Sequence, residues 1–325
     1  MKIFYSFIIQ LLSSRLAVGF IAPRHPMETI SPTTTALQYD RDFQKLIEKA
    51  SSTESSYVLG GDFAGLAATF SPADGSLIPV PDYLLSSEEN PSPSLWSEWN
   101  RPKCLEVLVS EDFPKYPDET CVRSTVTVLP DLTASSLEER STVKVQDDID
   151  LSTQWGENSD VVALQYSTSE EDVRVETLFG FEGYRLRVIL DLIPSETVFA
   201  IQTPMVIILE RRVNMLSTGG TIATGLDGRT VSILLGENLR SKPTFAEQPP
   251  LESSYERNGI QFVGLPANLS IAYGWLSDDT WSLQVGHVNG GRRKVVSREF
   301  NVQGNGELVF DVQSWEEDAL VETQS

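Results

Sequence analysis

The sequence predicts an all-β, mainly antiparallel fold: a β-barrel with an N-terminal helix and one inserted helix near 228–239. Three observations predict it. Apolar and polar residues alternate at every second position through much of the stretch 63–312, the period of a strand with one buried face. Short turn signals rich in Asp, Asn and Gly interrupt that alternation, and connections so short permit only antiparallel neighbours. About ten to twelve short strands joined in this way read as a barrel or sandwich.

The elements follow in order. Phe43, Leu46, Ile47 and Ala50 recur at i, i+3, i+4 and i+7, one face of an amphipathic helix. Residues 63–70 and 77–80 are strands flanking the hairpin signal Ala73-Asp74-Gly75. Leu105, Val107 and Val109 alternate with Glu106, Leu108 and Ser110; Val122, Ser124, Val126 and Val128 alternate with Arg123, Thr125 and Thr127. Val173, Val175, Thr177 and Phe179 continue the pattern, Glu182-Gly183 turns the chain, and Arg185 and Arg187 alternate with Leu186 and Val188. Residues 199–202 and 205–213 are two further strands broken at Pro204. Residues 269–275, 281–288, 295–302 and 307–312 complete the series, with turns at Ser277-Asp278-Asp279, Asn289-Gly290-Gly291 and Gly304-Asn305-Gly306. Three stretches read as loops: 86–102, rich in Ser, Pro and Glu; the acidic 131–160; and 241–259, with Pro243, Pro249 and Pro250. No internal repeat of fixed length is present, and residues 40–325 read as one elaborated barrel domain.

Bulk properties exclude several function classes. The 325 residues carry 46 Asp and Glu against 25 Lys and Arg, a net charge of -21. Such a surface repels nucleic-acid phosphates and anionic lipid headgroups. The whole Cys and His inventory is Cys104, Cys121, His25 and His287, with no CxxC, and its spacing supports no metal site. Cys104 and Cys121 begin successive β segments. Antiparallel neighbours place such starts at opposite ends, so partly buried thiols are expected rather than a disulfide.

The first 39 residues have the character of a leader. Residues 1–19, MKIFYSFIIQLLSSRLAVG, carry Lys2, a short apolar stretch and a small-residue cleavage context, the pattern of a secretory signal peptide. Residues 20–39 are rich in Ser, Thr and Pro with one acid, Glu28, as in a transit peptide. Phe20-Ile21-Ala22-Pro23 directly after the predicted cleavage site resembles the bipartite plastid-targeting leader of diatoms and related algae with secondary plastids. The resemblance implies a plastid address, with the mature chain in the stroma or peripheral on thylakoids. No later apolar run is long enough to span a bilayer.

Thr218-Gly219-Gly220-Thr221-Ile222-Ala223 resembles the nucleophile signature of bacterial-type asparaginases. It fails the test of context. It follows an antiparallel series instead of the first strand of a parallel α/β domain, and no His-Gly-Thr-Asp-Thr block or later lysine completes the set. A threonine without a base is a poor nucleophile. The stretch reads instead as a glycine loop in which Asp227 caps a helix bearing Val231, Leu234, Leu235 and Leu239 on one face.

The candidate ligand-binding residues are Trp281, His287, Arg292, Arg293 and Arg211. Trp281 and His287 share one strand face with Leu283 and Val285; the histidine there either ligates a tetrapyrrole metal or, more commonly, sits hydrogen-bonded in the core or rim. Arg292 and Arg293, beside Lys294 after the Asn289-Gly290 turn, suit a carboxylate or propionate at a barrel mouth, or form a solvated turn. Arg211, within Glu210-Arg211-Arg212 at the end of a strand, carries the same two readings.

Four stretches carry a broader resemblance: GGDFAGLAATFSPADGSLIPVP at 60–81, CLEVLVSEDF at 104–113, GGTIATGLDGRTVSILLGENL at 219–239 and WSLQVGHVNGGRRKVVSREF at 281–300. They resemble a group of uncharacterised plastid proteins of plants and algae. More distantly, the pattern is similar to the calycins, lipocalin-like barrels that include cyanobacterial bilin lyases. Gly61-Asp62-Phe63 stands where lipocalins open their first strand with Gly-x-Trp. The resemblance implies a non-enzymatic barrel that binds an apolar ligand (a pigment, tetrapyrrole or lipid) or assists assembly of a photosynthetic complex. The alternatives are a lyase-like enzyme acting on a bilin or chlorophyll precursor, and a pure protein-interaction module.

Overall fold

A computed structural model of the chain describes residues 60–81, 84–85, 101–112, 120–130, 142–149, 160–167, 173–181, 183–194, 199–213, 228–240, 243–302 and 308–319. The leader, the helix expected at 40–50 and the threonine–glycine stretch at 218–223 lie outside the described residues.

The first half of the molecule is one curled antiparallel sheet. Its strands are β1 (Gly61–Phe70), β2 (Leu77–Ile78), β3 (Leu105–Asp112), β4 (Cys121–Val128), β5 (Thr142–Ile149), β6 (Val161–Ser167), β7 (Val173–Phe181), β8 (Tyr184–Pro194), β9 (Phe199–Ile201) and β10 (Met205–Val213). The hydrogen-bonded order is β5-β4-β3-β1-β10-β8-β7-β6, with β2 added to β1 and β9 to β8. This is a meander whose first and last long strands, β1 and β10, pair directly from Asp62↔Val213 to Phe70↔Met205. The path ends at β5 and β6, and side chains bridge between them. Ile149 of β5 and Val162 and Leu164 of β6 share one apolar cluster with Cys121 and Leu178. Arg123 of β4 likewise reaches Glu176 of β7 at 2.6 Å. Strands remote along the path thus meet across an interior, which makes the sheet barrel-like and compatible with the calycin-like barrel expected.

A second antiparallel sheet follows in simple sequence order: β11 (Tyr255–Arg257), β12 (Ile260–Leu265), β13 (Leu269–Trp275), β14 (Thr280–Asn289), β15 (Arg292–Val302) and β16 (Leu308–Ala319). The Gly290-Gly291 turn joins Asn289 to its partner Arg292, and both glycines have positive φ, 58° and 75°. A two-residue hairpin loop of this hand needs positive φ at both positions.

One core joins these parts. Ala64, Leu66 and Phe70 of β1, Leu186 and Val188 of β8 and Ile207 of β10 point out of the barrel. They share a cluster with Val263, Ile271, Leu283, Val285 and Val296 of the second sheet. The helix α1 (Gly228–Arg240) adds Val231, Leu234, Leu235 and Leu239, the face read from the sequence. α1 is broken at Gly236 (φ 64, ψ 167), a region essentially reserved for glycine. Arg211 locks the break: its Nη2 donates to Leu234 O at 2.6 Å, and a Cβ at position 236 would lie 2.7 Å from the same atom. Gly236→Ala is therefore expected to lower stability by about 1–3 kcal/mol, read as an earlier urea midpoint with unchanged slope.

Two stretches read as loops contain strands. β5 lies inside 131–160, and β11 inside 241–259, which also holds a 3-10 turn at Pro243–Glu247. β5 was hidden by Lys144, Gln146 and Asp148, exposed along its outer side, while Val145 and Ile149 turn inward. β16 also runs on to Ala319, beyond the expected 312.

Candidate functional site

The interior face of the barrel-like sheet is built from alternate residues of its long strands. Its middle layer is ionic, with the apolar cluster of Cys121, Ile149, Val162, Leu164 and Leu178 on one side and a cavity on the other. Arg187 of β8 is the hub of the ionic layer: Nη2 donates to Glu111 of β3 at 2.5 Å, Nη1 to Glu176 of β7 at 3.0 Å and Nε to Glu210 of β10 at 3.3 Å. Arg185 donates to Glu210 (2.5 Å) and Glu111 (2.8 Å), and Arg123 to Glu111 (3.0 Å) and Glu176 (2.6 Å). Three guanidiniums thus face three carboxylates, and all six residues are at most 5% exposed. Tyr166 of β6 donates its hydroxyl proton to Glu176. The Arg185 guanidinium carbon lies 3.2 Å from the Phe63 ring centroid, a desolvated cation–π contact. Gly65 makes room for the layer, since a Cβ there would meet Glu210 Cγ at 2.9 Å.

Burial by itself would raise these carboxyl pKa values. At Glu111 the charges of Arg185, Arg187 and Arg123 overcome it and hold the carboxyl far below the usual range. At Glu176 Arg123 and Arg187 do the same, holding it down to about 2. Glu111 and Glu176 are therefore ionised at physiological pH, and the layer's three carboxyl groups are matched in number by three guanidiniums. Beside it, Arg174 and Asp191 form a two-pronged pair at 2.7 and 3.0 Å.

The cavity is apolar, with a volume of about 60 Å³. Ala67 and Thr69 of β1, Leu105 and Val107 of β3, Thr125 and Thr127 of β4, and Val206 and Ile208 of β10 form its wall. Val80, Pro81 and Leu84, which follow β2, cover it, and Val80 and Leu84 pack with Leu85, Leu105 and Leu129. Strand direction sets the order of the layers. Along β3, Leu105 and Val107 line the cavity and Glu111 stands in the ionic layer, about 3.4 Å further on per residue. A closed eight-stranded barrel is wide enough to be filled by side chains or to enclose a small cavity; this curled, barrel-like sheet is filled by side chains at the ionic level and open at the level of the cavity.

The five candidate residues from the sequence do not converge on this cavity. Trp281 and His287 are buried, 1% and 5% exposed, in the face of β14 that meets the barrel. His287 packs on Phe179 and Phe181 of β7, ring centroids 5.4 and 5.3 Å away. Burial and then the neighbouring Lys294 push its pKa down to about 4, so it is neutral at physiological pH. Arg292 is exposed beside the Gly290-Gly291 turn and Arg293 half-buried. Arg211 holds the kink of α1. Cys104 and Cys121 form no disulfide. The register Glu106↔Val128 to Asp112↔Val122 puts them at opposite ends of the β3–β4 pair. Burial pushes both thiols up to about 12.

Sequence reasoning missed the ionic layer because its members sit alone on separate strands, each resembling the polar side of an amphipathic strand. No protein-family model matches the chain, and no curated protein matches it. Among the described residues no group of three His, Cys, Asp or Glu side chains is placed to hold a metal ion, and no helix is long and apolar enough to cross a membrane.

Proposed function

We propose that this chain is a non-enzymatic barrel protein that binds a slender apolar ligand. The observation that carries the reading is the cavity walled by Ala67, Leu105, Val107, Val206 and Ile208 above a closed ionic floor. Its volume, about 60 Å³, is smaller than the roughly 150 Å³ of a cavity that takes a benzene ring, so it admits the end of a slender chain and not a ring. A tetrapyrrole needs a site of several hundred Å³, so among the expected ligands a lipid-like one fits best. The lyase-like alternative has less support: Cys104 and Cys121 are protonated at physiological pH, and thiols act as nucleophiles in the thiolate form. Residues 1–39 suggest a plastid as the site of action, and the resemblance carried by the stretches at 60–81, 104–113, 219–239 and 281–300 suggests the plant and algal plastid group. A fluorescent protein fused behind residues 1–39 tests the address; cytosolic fluorescence in a diatom host would remove it.

The ligand reading is tested by purifying the chain, extracting it with organic solvent and identifying the extract by mass spectrometry. A stoichiometric apolar compound is expected. Ala67→Leu fills the cavity from its wall, and the purified variant is expected to retain less than about a tenth of that compound while its melting temperature stays within a few degrees. A variant that carries as much ligand as the parent would place binding elsewhere.

A further inference from the structure

The position of charge around the cavity determines what kind of end group its occupant bears. We infer that the cavity takes a single-chain amphiphile tail-first, with an anionic head group at the mouth against Lys103; this rests on the ligand-binding reading above. Lys103 alone among the lining residues is charged. It precedes Leu105 on the approach to β3, on the opposite side of the cavity from Glu111. Its side chain is 32% exposed, so the methylenes lie along the wall while the ammonium reaches water. Among the described residues its ion-pair partner is Glu247, whose Oε1 is 4.0 Å away on a side chain 50% exposed. A pair so long and wet holds its cation weakly, and an arriving anion displaces it at little cost.

The opposite orientation, head group inward, is disfavoured by the floor. Arg123, Arg185 and Arg187 are matched one for one by Glu111, Glu176 and Glu210. A buried anion added there would leave a net negative charge in a dry interior, which costs several kcal/mol unless a carboxylate takes up a proton. Glu111 and Glu176 are held against protonation by the same arginines. The acidic surface repels anions at long range; at physiological salt that field fades within about 8 Å, whereas contact at Lys103 does not.

The test is calorimetric titration of the full chain with decanoate, decyl phosphate, decanol and decylammonium. Decanoate or decyl phosphate is expected to bind most tightly, and the stronger of the two names the head group. Lys103→Gln is expected to weaken the anionic ligands about fivefold and leave decanol within twofold, while Lys103→Arg restores the parent order. Tightest binding of decanol or decylammonium would overturn the inference, as would a Lys103→Gln variant that weakens all ligands alike. Binding of none of the four would remove the ligand-binding reading and this inference with it.

Discussion

Replacing Arg187 by methionine is expected to destabilise the protein by about 3–5 kcal/mol, the largest effect of any single substitution in the barrel interior. Methionine approximates the volume of the arginine stem, so little packing is lost. What is lost is the one cation that touches Glu111, Glu176 and Glu210 together. Three buried carboxylates then share Arg123 and Arg185, and the layer carries an uncompensated negative charge. Native stabilities of about 5–15 kcal/mol make this about a fifth of the total or more. Urea denaturation measures it. Adding Glu176→Gln to Arg187→Met is expected to restore about 1–3 kcal/mol, because it removes the charge left over. A loss below about 1 kcal/mol for Arg187→Met would mean that water reaches the layer and screens it. The prediction concerns breaking the network, not its net worth: exchanging all six charges for well-packed apolar groups is often neutral or stabilising.

The same layer shows what alternation in a sequence reveals and what it hides. A period of two identifies strands, and β1, β3, β4, β7, β8, β10 and β13 to β15 all lie where the period places them. It does not say which side is wet. On β8, Leu186 and Val188 face the second sheet while Arg185 and Arg187 face the barrel interior, and all four are at most 1% exposed. The arginines look like a solvated side because each strand is read alone. Their partners Glu111, Glu176 and Glu210 lie 11 to 76 residues away in the chain, and only the register brings them together. β6 fails for the converse reason. Val161 and Ala163 enter one cluster and Val162 and Leu164 another, so the strand is apolar on both sides and shows no alternation. β5 fails because exposed polar residues on its outer side read as an acidic loop.

The cavity was legible only as a consequence of the fold class. Its wall residues are ordinary strand residues, Ala, Val, Leu, Ile and Thr, and no motif marks them. In the sequence Trp281, His287 and the arginine turns stand out, because those residue types carry recognisable chemistry. Trp281 and His287 are spent on the contact between the two sheets instead. Arg298 of β15 is used in the same contact: buried, it crosses to β7 and donates to Glu176 O at 2.8 Å and Thr177 Oγ1 at 3.1 Å. The strand that supplies a carboxylate to the ionic layer is thus held from its other side by the second sheet, so a change on either side of β7 is felt on both.

His287 makes that contact sensitive to acid. Its pKa is pushed from 6.5 to about 4, while in the unfolded chain it keeps its ordinary value. Between pH 6.5 and 4 the unfolded state therefore binds the proton and the folded state does not. Stability contributed by the neutral imidazole is fully present above about pH 6.5 and is lost progressively down to pH 4. A displacement of this size corresponds to about 3 kcal/mol. Glu176, depressed to about 2, adds a separate loss that begins only near the ordinary carboxylate range, about pH 4.3, and continues toward pH 2. Two acid phases are thus expected, and His287→Phe separates them. Phenylalanine fits the ring stack with Phe179 and Phe181 and has no proton to bind. The variant is expected to show a flat stability profile from pH 7 to about 5, where the parent falls, and to share the parent's loss below pH 4. The comparison is clean because the chain's other histidine, His25, is common to both proteins. Parallel urea midpoints for parent and variant across pH 7 to 5 would show that the His287 ring is reached by solvent and that the seam between the two sheets is open.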